Sequence, residues 1–520
     1  MAISQNTVPI RWLSGPLDIA RREKQGDLTP DARKTLERWH LPETLEFLKN
    51  SPVDCLVVTW AAGMPEDSAQ QKSLAPLLDA ARKNNFATVG WVEGTVSPDA
   101  ALNAAGSAGL SAVALHNYRG KSEIPVIPWG DRSAVPYDST APVIAVSENV
   151  WPGVVLSTGA AEADAGPTGL PWVDSNGWFL RMVRARVQTP VWLLFDPPGK
   201  GTIQTASAYG MAICDGEAAG GRWVVSFDDN LRAGLAESNP AALQSWREIS
   251  AVAAFFEKHR EWRSYIPLGL VGVISDFGEN NLDLNGELLN LMARRDLLYQ
   301  VIWKSSAMKQ PFTGLKGLVS VDQDPPAPEL RRKILSFVES GGLLVTNKQW
   351  GAEGQPSATD HRRFEIRVRG KGRIAVAKED LGDPYELAGD IQILFSHAND
   401  LVKFFNSTSS GGTQYTASPD GKKSLVQALT YSGGGRSGRG RGRGTGTVAV
   451  AGGSAGRGGT GGGVSLKTLW LKRQYRAARL WQLDAPDAVP IAAVKAEDYD
   501  GMEIHLPETS QGYLAIELED

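Results

Sequence analysis

The chain has only two cysteines in 520 residues. Cys55 opens an apolar run and Cys214 falls in a helical stretch, which excludes a disulfide scaffold, a cysteine zinc site and a redox pair. They read as two buried free thiols, with a single disulfide between them as the alternative. No apolar run reaches the roughly 18 residues of a membrane span. The amino terminus, Met1-Ala2-Ile3-Ser4, lacks the charged and apolar regions of a signal peptide. The chain as given reads as cytoplasmic, although a secreted or periplasmic protein stripped of its signal would read the same. Charge of one sign is also missing. With 54 basic and 58 acidic residues the net charge is -4, which argues against a polyelectrolyte partner for the molecule as a whole. There is no phosphate loop, no dinucleotide fingerprint and no zinc spacing, so no cofactor and no metal are expected.

Tryptophan, in contrast, is abundant, at 16 residues. Indole faces stack on the C–H surfaces of sugar rings, and they also fill cores. With 42% hydrophobic and 22% charged residues the composition is that of an ordinary globular protein, and the length predicts roughly two to four domains.

Over residues 1–264 apolar strand candidates alternate with amphipathic helices, the grammar of a parallel α/β architecture. The strands predicted are Ile10–Leu13, Cys55–Trp60, Ala87–Glu93, Ala112–Asn117, Val126–Trp129, Val143–Glu148, Val191–Asp196 and Trp223–Asp228. Eight strands fit a (β/α)8-type barrel. Too little chain separates the fourth from the fifth for a crossover helix, and the stretch from Trp129 to Val143 has no helical period. The barrel is therefore expected to be somewhat irregular there. From Tyr265 the α/β pattern restarts, with strands at Leu270–Ser275, Gly317–Val321 and Leu343–Thr346, and it reads as a doubly wound α/β domain over 265–369. Residues 370–520 then read as a β-sandwich built from short segments that include Arg373–Ala377, Gln392–Phe395, Ser424–Thr430 and Tyr513–Glu517. Within them, 433–463 is almost wholly small residues plus Arg436, Arg439, Arg441, Arg443 and Arg457. This reads as a loop inserted between two sandwich strands. Its likeness to an RGG-type RNA-binding arm is the weaker reading, because no aromatic is present to stack on a base.

The segment Pro328–Val345, an apolar-periodic helix ending at Gly341-Gly342 before the strand Leu343-Leu344-Val345, resembles the helix–turn–strand of glutamine-amidotransferase-like domains. Such domains follow the catalytic barrel in β-galactosidases that trimerise and in related multidomain glycoside hydrolases. The resemblance implies a TIM barrel acting on carbohydrate, with this second domain structural or rim-forming. An amidotransferase nucleophile is absent, since no cysteine lies beyond Cys214. The barrel clan that includes β-galactosidases carries Asn-Glu after strand four and Glu after strand seven. This chain has His116-Asn117-Tyr118 and Asp196-Pro197 there, so the acid expected after Asn is missing. Either the catalytic pair sits on other strands or the barrel has lost hydrolysis.

Read residue by residue, several acids end apolar strands, where loops of a β/α barrel carry chemistry. A glycosidase needs two carboxylates, one to protonate the leaving oxygen and one ionised. Glu148 and Asp196 are the pair expected to be catalytic. Glu93, Asp174 and Asp228 are expected to bind substrate or act as alternates, with His116 and Asn117 as further hydroxyl-binding groups. Asp174, just ahead of Ser175 at a helix start, equally suits a cap. Trp12, Trp60, Trp129, Trp151 and Trp172 fall at or after strand ends and are expected as stacking walls. The function expected is hydrolysis of O-glycosidic bonds in a poly- or oligosaccharide, and the rival is a non-catalytic carbohydrate-binding barrel. The partner expected is carbohydrate, with no membrane and no nucleic acid. A homo-oligomer stays open.

Overall fold

The computed structural model describes residues 2–61, 63–94, 97–152, 175–197, 205–351, 353–359, 361–405, 411–430, 468–496, 500–507 and 512–520. The chain divides into two compact units, and residues 175–186 belong to the second.

The first unit is a closed parallel barrel. Its strands, β1 (Pro9–Trp12), β2 (Cys55–Trp60), β3 (Ala87–Val92), β4 (Ala112–His116), β5 (Val126–Gly130), β6 (Ile144–Val146), β7 (Val191–Leu193) and β8 (Arg222–Trp223), are neighbours in chain order. A parallel bridge between Ile10 and Val225 closes the ring, with the Arg11 N–H donating to the Val225 carbonyl at 2.7 Å. Successive side chains on a strand face opposite ways. One set fills the barrel interior: Val57, Val89, Ala114, Ile127, Ala145, Trp192 and Val224 share a buried cluster. The other set packs outward under α1 (Gly15–Gln25), α2 (Pro30–Arg38), α3 (Asp67–Lys83) and α4 (Pro98–Ala108). Later in the chain α6 (Ala206–Ala218), α7 (Asp229–Ala236) and α8 (Pro240–Lys258) play the same part. Both cysteines are buried and free.

The irregular arc expected around the fourth to sixth strands is present. Neither the β4–β5 nor the β5–β6 connection contains a helix. A cavity of about 680 Å³ lies between these loops, against Val126 and Pro128 of β5. Ile127, between them in sequence, points into the barrel core.

In the second unit, α5 (Gly177–Arg184) is tied down by Arg181, whose Nε donates to Gln414 at 2.6 Å, and by Trp303, whose Nε1 donates to the Met182 carbonyl at 2.9 Å. A short strand β9 (Ile266–Pro267) joins a sandwich sheet described below. β10 (Val271–Ser275), α9 (Glu279–Arg294), β11 (Tyr299–Trp303), β12 (Gly317–Ser320), α10 (Pro328–Glu339) and β13 (Leu343–Thr346) begin a doubly wound sheet. It is completed by β14 (Gln355–Pro356), β15 (Phe364–Arg369) and β16 (Gly372–Ala377), in the order β11-β10-β12-β13-β16-β15-β14. At the α10–β13 turn Gly341 has φ +117°, and a Cβ on Gly342 would collide with the Phe337 ring, so both positions need glycine.

Two expected sandwich segments belong elsewhere. Arg373–Ala377 is β16 of the doubly wound sheet, parallel to β13. Gln392–Phe395 ends a helix, α11 (Pro384–Phe395). Asp383 caps that helix and Pro384 opens it, while Leu387, Ala388, Ile391 and Phe395 bury one face at helical spacing.

The sandwich consists of β17 (Val402–Phe405), β18 (Gly411–Ala417), β19 (Lys423–Thr430), β20 (Thr468–Leu471), β21 (Ala477–Trp481), β22 (Val489–Ile491), β23 (Ala493–Lys495), β24 (Met502–His505) and β25 (Tyr513–Glu519). They form an antiparallel sheet β22-β21-β25-β19-β18-β9 and another, β17-β20-β24-β23, around a core that includes Val426, Leu469, Ile504 and Ile516. The Gly/Arg-rich stretch 433–463 lies outside the described residues.

Packing outside β1 depends on an aromatic cluster. Trp12 and Trp39 stack with ring centroids 4.7 Å apart, and Phe47, Phe227 and Trp246 close around them. Trp39 is completely buried. Trp39→Ala should destabilise the barrel unit by about 3–5 kcal/mol, the cost of emptying a large aromatic site. Guanidinium unfolding followed by tryptophan fluorescence checks this, and a shift of the midpoint within error would contradict the packing account.

Candidate functional site at the barrel mouth

The two-residue period of the strands determines what reaches the mouth. Carrying the inward set forward by twos gives Arg11 on β1, Thr59 on β2, Glu93 after β3 and His116 on β4. Trp129 on β5, Ser147 after β6, Asp196 after β7 and Ser226 after β8 complete the ring. The observed contacts agree. Arg11 donates through Nη1 to the Val57 carbonyl at 3.0 Å, and through Nη2 to Thr59 Oγ1 at 2.9 Å and Glu93 at 3.3 Å. Ser226 Oγ donates to Asp196 Oδ1 at 2.7 Å.

Arg21, on the first helix after β1, joins the acids. Its Nη1 lies 3.0 and 2.9 Å from the two oxygens of Glu93, and its Nη2 lies 3.6 Å from Asp196 and 3.5 Å from Asp18. Glu93 and Asp196 come from strands opposite each other in the ring. One guanidinium therefore bounds their separation at under about 9 Å, within the ceiling for paired glycosidase carboxylates. The Glu93 and Asp196 side chains are 33% and 42% exposed while Arg11 is 3% exposed, so the acids face the opening and Arg11 underlies them. Asp18 is wholly buried and accepts from Thr59 Oγ1 at 2.8 Å and from the Ser14 N–H at 2.7 Å.

Burial would raise the Asp196 pKa, but the Arg21 and Arg11 guanidiniums and the Ser226 hydroxyl outweigh it and hold the carboxyl below the usual carboxylate range. At Asp18 burial wins over the same arginines and the carboxyl is pushed up. Burial works against the Arg21 charge, yet Asp18, Glu93 and Asp196 together hold its pKa above the ordinary value.

The opposite arc is aromatic. Trp91 and Trp129 stack at 4.7 Å, and the His116 ring lies 4.7 Å from that of Trp129. Asn117, with φ +46°, donates its backbone N–H to the Trp129 carbonyl at 2.8 Å, and its side chain meets His116 Nε2 at 3.3 Å. Trp129 is partly exposed and His116 and Asn117 are exposed.

Glu148 follows β6 one residue beyond the inward position, with φ +56°, and its side chain is exposed. Asn149 beside it is buried. Its Nδ2 donates to the carbonyls of Val146 at 2.6 Å and Leu194 at 3.1 Å, stapling the ends of β6 and β7 two residues before Glu148 and Asp196.

Other expectations require correction. Trp12 and Trp60 are fully buried on the outer side of their strands, as the period demands, and cannot act as sugar walls. Trp151 is also buried. Its Nε1 donates to the Phe195 carbonyl, and its ring packs edge-on against Tyr209 and Trp223. Asp228 caps α7 through the N–H groups of Asn230 and Leu231 and accepts from the Tyr209 hydroxyl at 2.8 Å, so it serves structure. Asp174 and Trp172 lie outside the described residues. Arg11, Arg21, Ser226 and Asn149 were not anticipated. Arg11 and Ser226 were accessible through the strand period, whereas Arg21 and Asn149 act through tertiary contacts with no local signature.

Among the described residues no group of three or more His, Cys, Asp or Glu is placed to hold a metal, and no helix is long and apolar enough to cross a membrane.

No protein-family model and no curated protein sequence matches the chain. Solved structures do. Alpha-L-fucosidase isoenzyme 2 from Paenibacillus thiaminolyticus aligns with a TM-score of 0.56 at 9% identity, over 99% of this chain and 100% of that one. A β-galactosidase from Bacillus circulans sp. alkalophilus aligns at 0.46 and 10%, over 94% and 82%. The exo-β-1,4-mannosidase Op5Man5 from Opitutaceae bacterium strain TAV5 aligns at 0.44 and 10%, over 76% and 97%. The chain is a (β/α)8-barrel protein with appended α/β and sandwich sheets. The fucosidase, the one of the three above a TM-score of 0.5, shares that fold along its whole length.

The folded Asp196 pKa lies below the unfolded value of about 3.9. Its contribution to stability is therefore complete above that pH and is lost as pH falls through the folded pKa. The stability gap between the wild type and Asp196→Asn should be constant near neutrality and shrink below about pH 4. Unfolding midpoints across an acid series check this, and a gap that persists unchanged into strong acid would contradict it.

Proposed function

We propose that the chain is a glycoside hydrolase-like protein whose barrel mouth hydrolyses an O-glycosidic bond of a poly- or oligosaccharide. The observation that carries the reading is Asp196. It is an inward-facing carboxylate after β7, kept ionised by Arg21, Arg11 and Ser226 yet open to solvent, with Trp129 on the aromatic arc as a platform for a sugar face. An ionised carboxylate suits the nucleophile or base of a two-carboxylate mechanism.

The proton donor needs a carboxyl that is not committed to an arginine. Glu93 is held by Arg11 and Arg21, and Asp228 by its helix cap. Glu148 is exposed, makes no ion pair among the described residues and follows β6, the strand that pairs with the β7 strand preceding Asp196. It is assigned the donor role, with Asn149 holding the two strand ends in register.

A second reading is favoured by the same arginine. Arg21 engages both Glu93 and Asp196, an arrangement that would also suit a barrel that binds carbohydrate without cleaving it. Turnover separates the two. On a panel of aryl glycosides, Glu148→Gln and Asp196→Asn should each lower kcat/KM by roughly 10²–10⁴-fold while retaining sugar binding. Wild-type protein that binds oligosaccharides and cleaves none would decide for the binding barrel. Full activity in both variants would remove both acids from the chemistry.

A further inference from the structure

The cavity beside β5 has no part in the chemistry above. It measures about 680 Å³, within the roughly 300–1,000 Å³ typical of ligand sites. Its walls come from the two loops that replace crossover helices, and its floor is the outer side of β5 at Val126 and Pro128. It opens to solvent, since Arg119, Ser122, Asp138 and Thr140 on its lining are all exposed.

Both loops are held in shape by their own hydrogen bonds. In the first, Tyr118 Oη donates to the Lys121 carbonyl at 3.0 Å and so fixes its ring across the turn. In the second, Asp131 Oδ1 accepts from the Ser133 hydroxyl at 2.6 Å and from the N–H groups of Ser133 at 2.8 Å and Ala134 at 2.9 Å. A Cβ on Gly130 would collide with the Ala134 carbonyl oxygen, so this close turn needs glycine. Further along, the Ser139 N–H donates to the Pro136 carbonyl at 3.2 Å, and Ser139 Oγ accepts from the Ala141 N–H at 3.0 Å.

The lining mixes apolar surface with hydrogen-bonding groups. Ile124, Val126, Pro128, Val135 and Pro136 offer C–H surface, and the partly exposed Tyr118 ring stands with them. Arg119 and Asp138 make no ion pair among the described residues and carry opposite charges, so the cavity favours neither cations nor anions. Their head groups and the hydroxyls of Ser122 and Thr140 can give hydrogen bonds to a ligand hydroxyl or take them from it. A peptide suits the cavity less well. β5 is paired on both sides, to β4 and to β6, and presents no edge for an added strand. Among the described residues Tyr118 is the single aromatic on the lining, too few for a proline-rich ligand. A sugar ring presents apolar C–H faces edged by hydroxyls, and this lining complements both.

We propose that this cavity holds a stretch of neutral carbohydrate chain outside the barrel mouth, seated among Tyr118, Arg119, Asp138 and Thr140. The site rests on carbohydrate as the substrate class proposed above but needs no turnover at the mouth. A polymer anchored there stays at high local concentration beside the acids of the mouth.

Hydrogen–deuterium exchange of the full chain, read by peptide mass spectrometry, locates the binding whether or not the mouth is active. A ladder of gluco-, manno- and galacto-oligosaccharides should slow exchange saturably in peptides spanning 117–125 and 134–142. In Thr140→Trp, which fills the cavity, and in Arg119→Ala the apparent dissociation constant should rise roughly tenfold or more. Both positions are exposed, so neither variant threatens folding. Asp196→Asn should leave the protection unchanged, and Thr140→Trp should leave cleavage of aryl glycosides unchanged. Protection without any cleavage would support the site while counting against hydrolysis at the mouth. No protection of either loop would overturn the site, and aryl glycosides still cleaved would then leave the reading of the mouth intact. Protection that is unchanged in both variants, or that a proline-rich peptide gives in place of the sugars, would equally overturn it.

Discussion

The barrel mouth depends on one guanidinium. Arg21 reaches from the first helix to acids after β3 and β7 and to the buried Asp18, and so ties together three parts of the ring that share no backbone hydrogen bonds. Removing such a charge strands its partners, because a buried or half-buried acid without its counter-ion bears an uncompensated desolvation cost. The opposed pKa displacements of Asp18 and Asp196 follow from this geometry. Both feel Arg21 first among the charges, and they differ in how strongly burial opposes it.

Much of the architecture was legible in the sequence because the barrel strands are short apolar runs separated by amphipathic helices. The missing crossover helices were also legible, since nine residues between His116 and Val126 leave no room for one. The site was only partly legible. Strand period could have excluded Trp12 and Trp60 and selected Arg11, Glu93, Asp196 and Ser226, because inward and outward positions alternate from a known core residue. Being near a strand end is a weaker criterion than facing the right way. Glu148 defeats even the better rule, since it falls one residue past the inward Ser147 and has a left-handed backbone. Arg21 and Asn149 act across tertiary contacts that no local pattern encodes.

In the second unit the boundary between grammars was harder to see. Arg373–Ala377 alternates as any strand does, and only its partner β13 shows which sheet it joins. Asp383-Pro384 ahead of Leu387, Ala388, Ile391 and Phe395 carries a cap, a first-turn proline and a helical stripe. A short apolar stretch at its end resembles a strand only if those upstream signals are set aside.

The outer side of β5 has a consequence of its own. Covered by two loops and a cavity instead of helices, it is a soft sector in an otherwise insulated hoop. The seam where β8 meets β1 lies half a turn away around the ring. Closure here rests on the β4–β5 and β5–β6 ladders and not on covering helices, so the loops can change length or composition while the ladders keep the hoop shut.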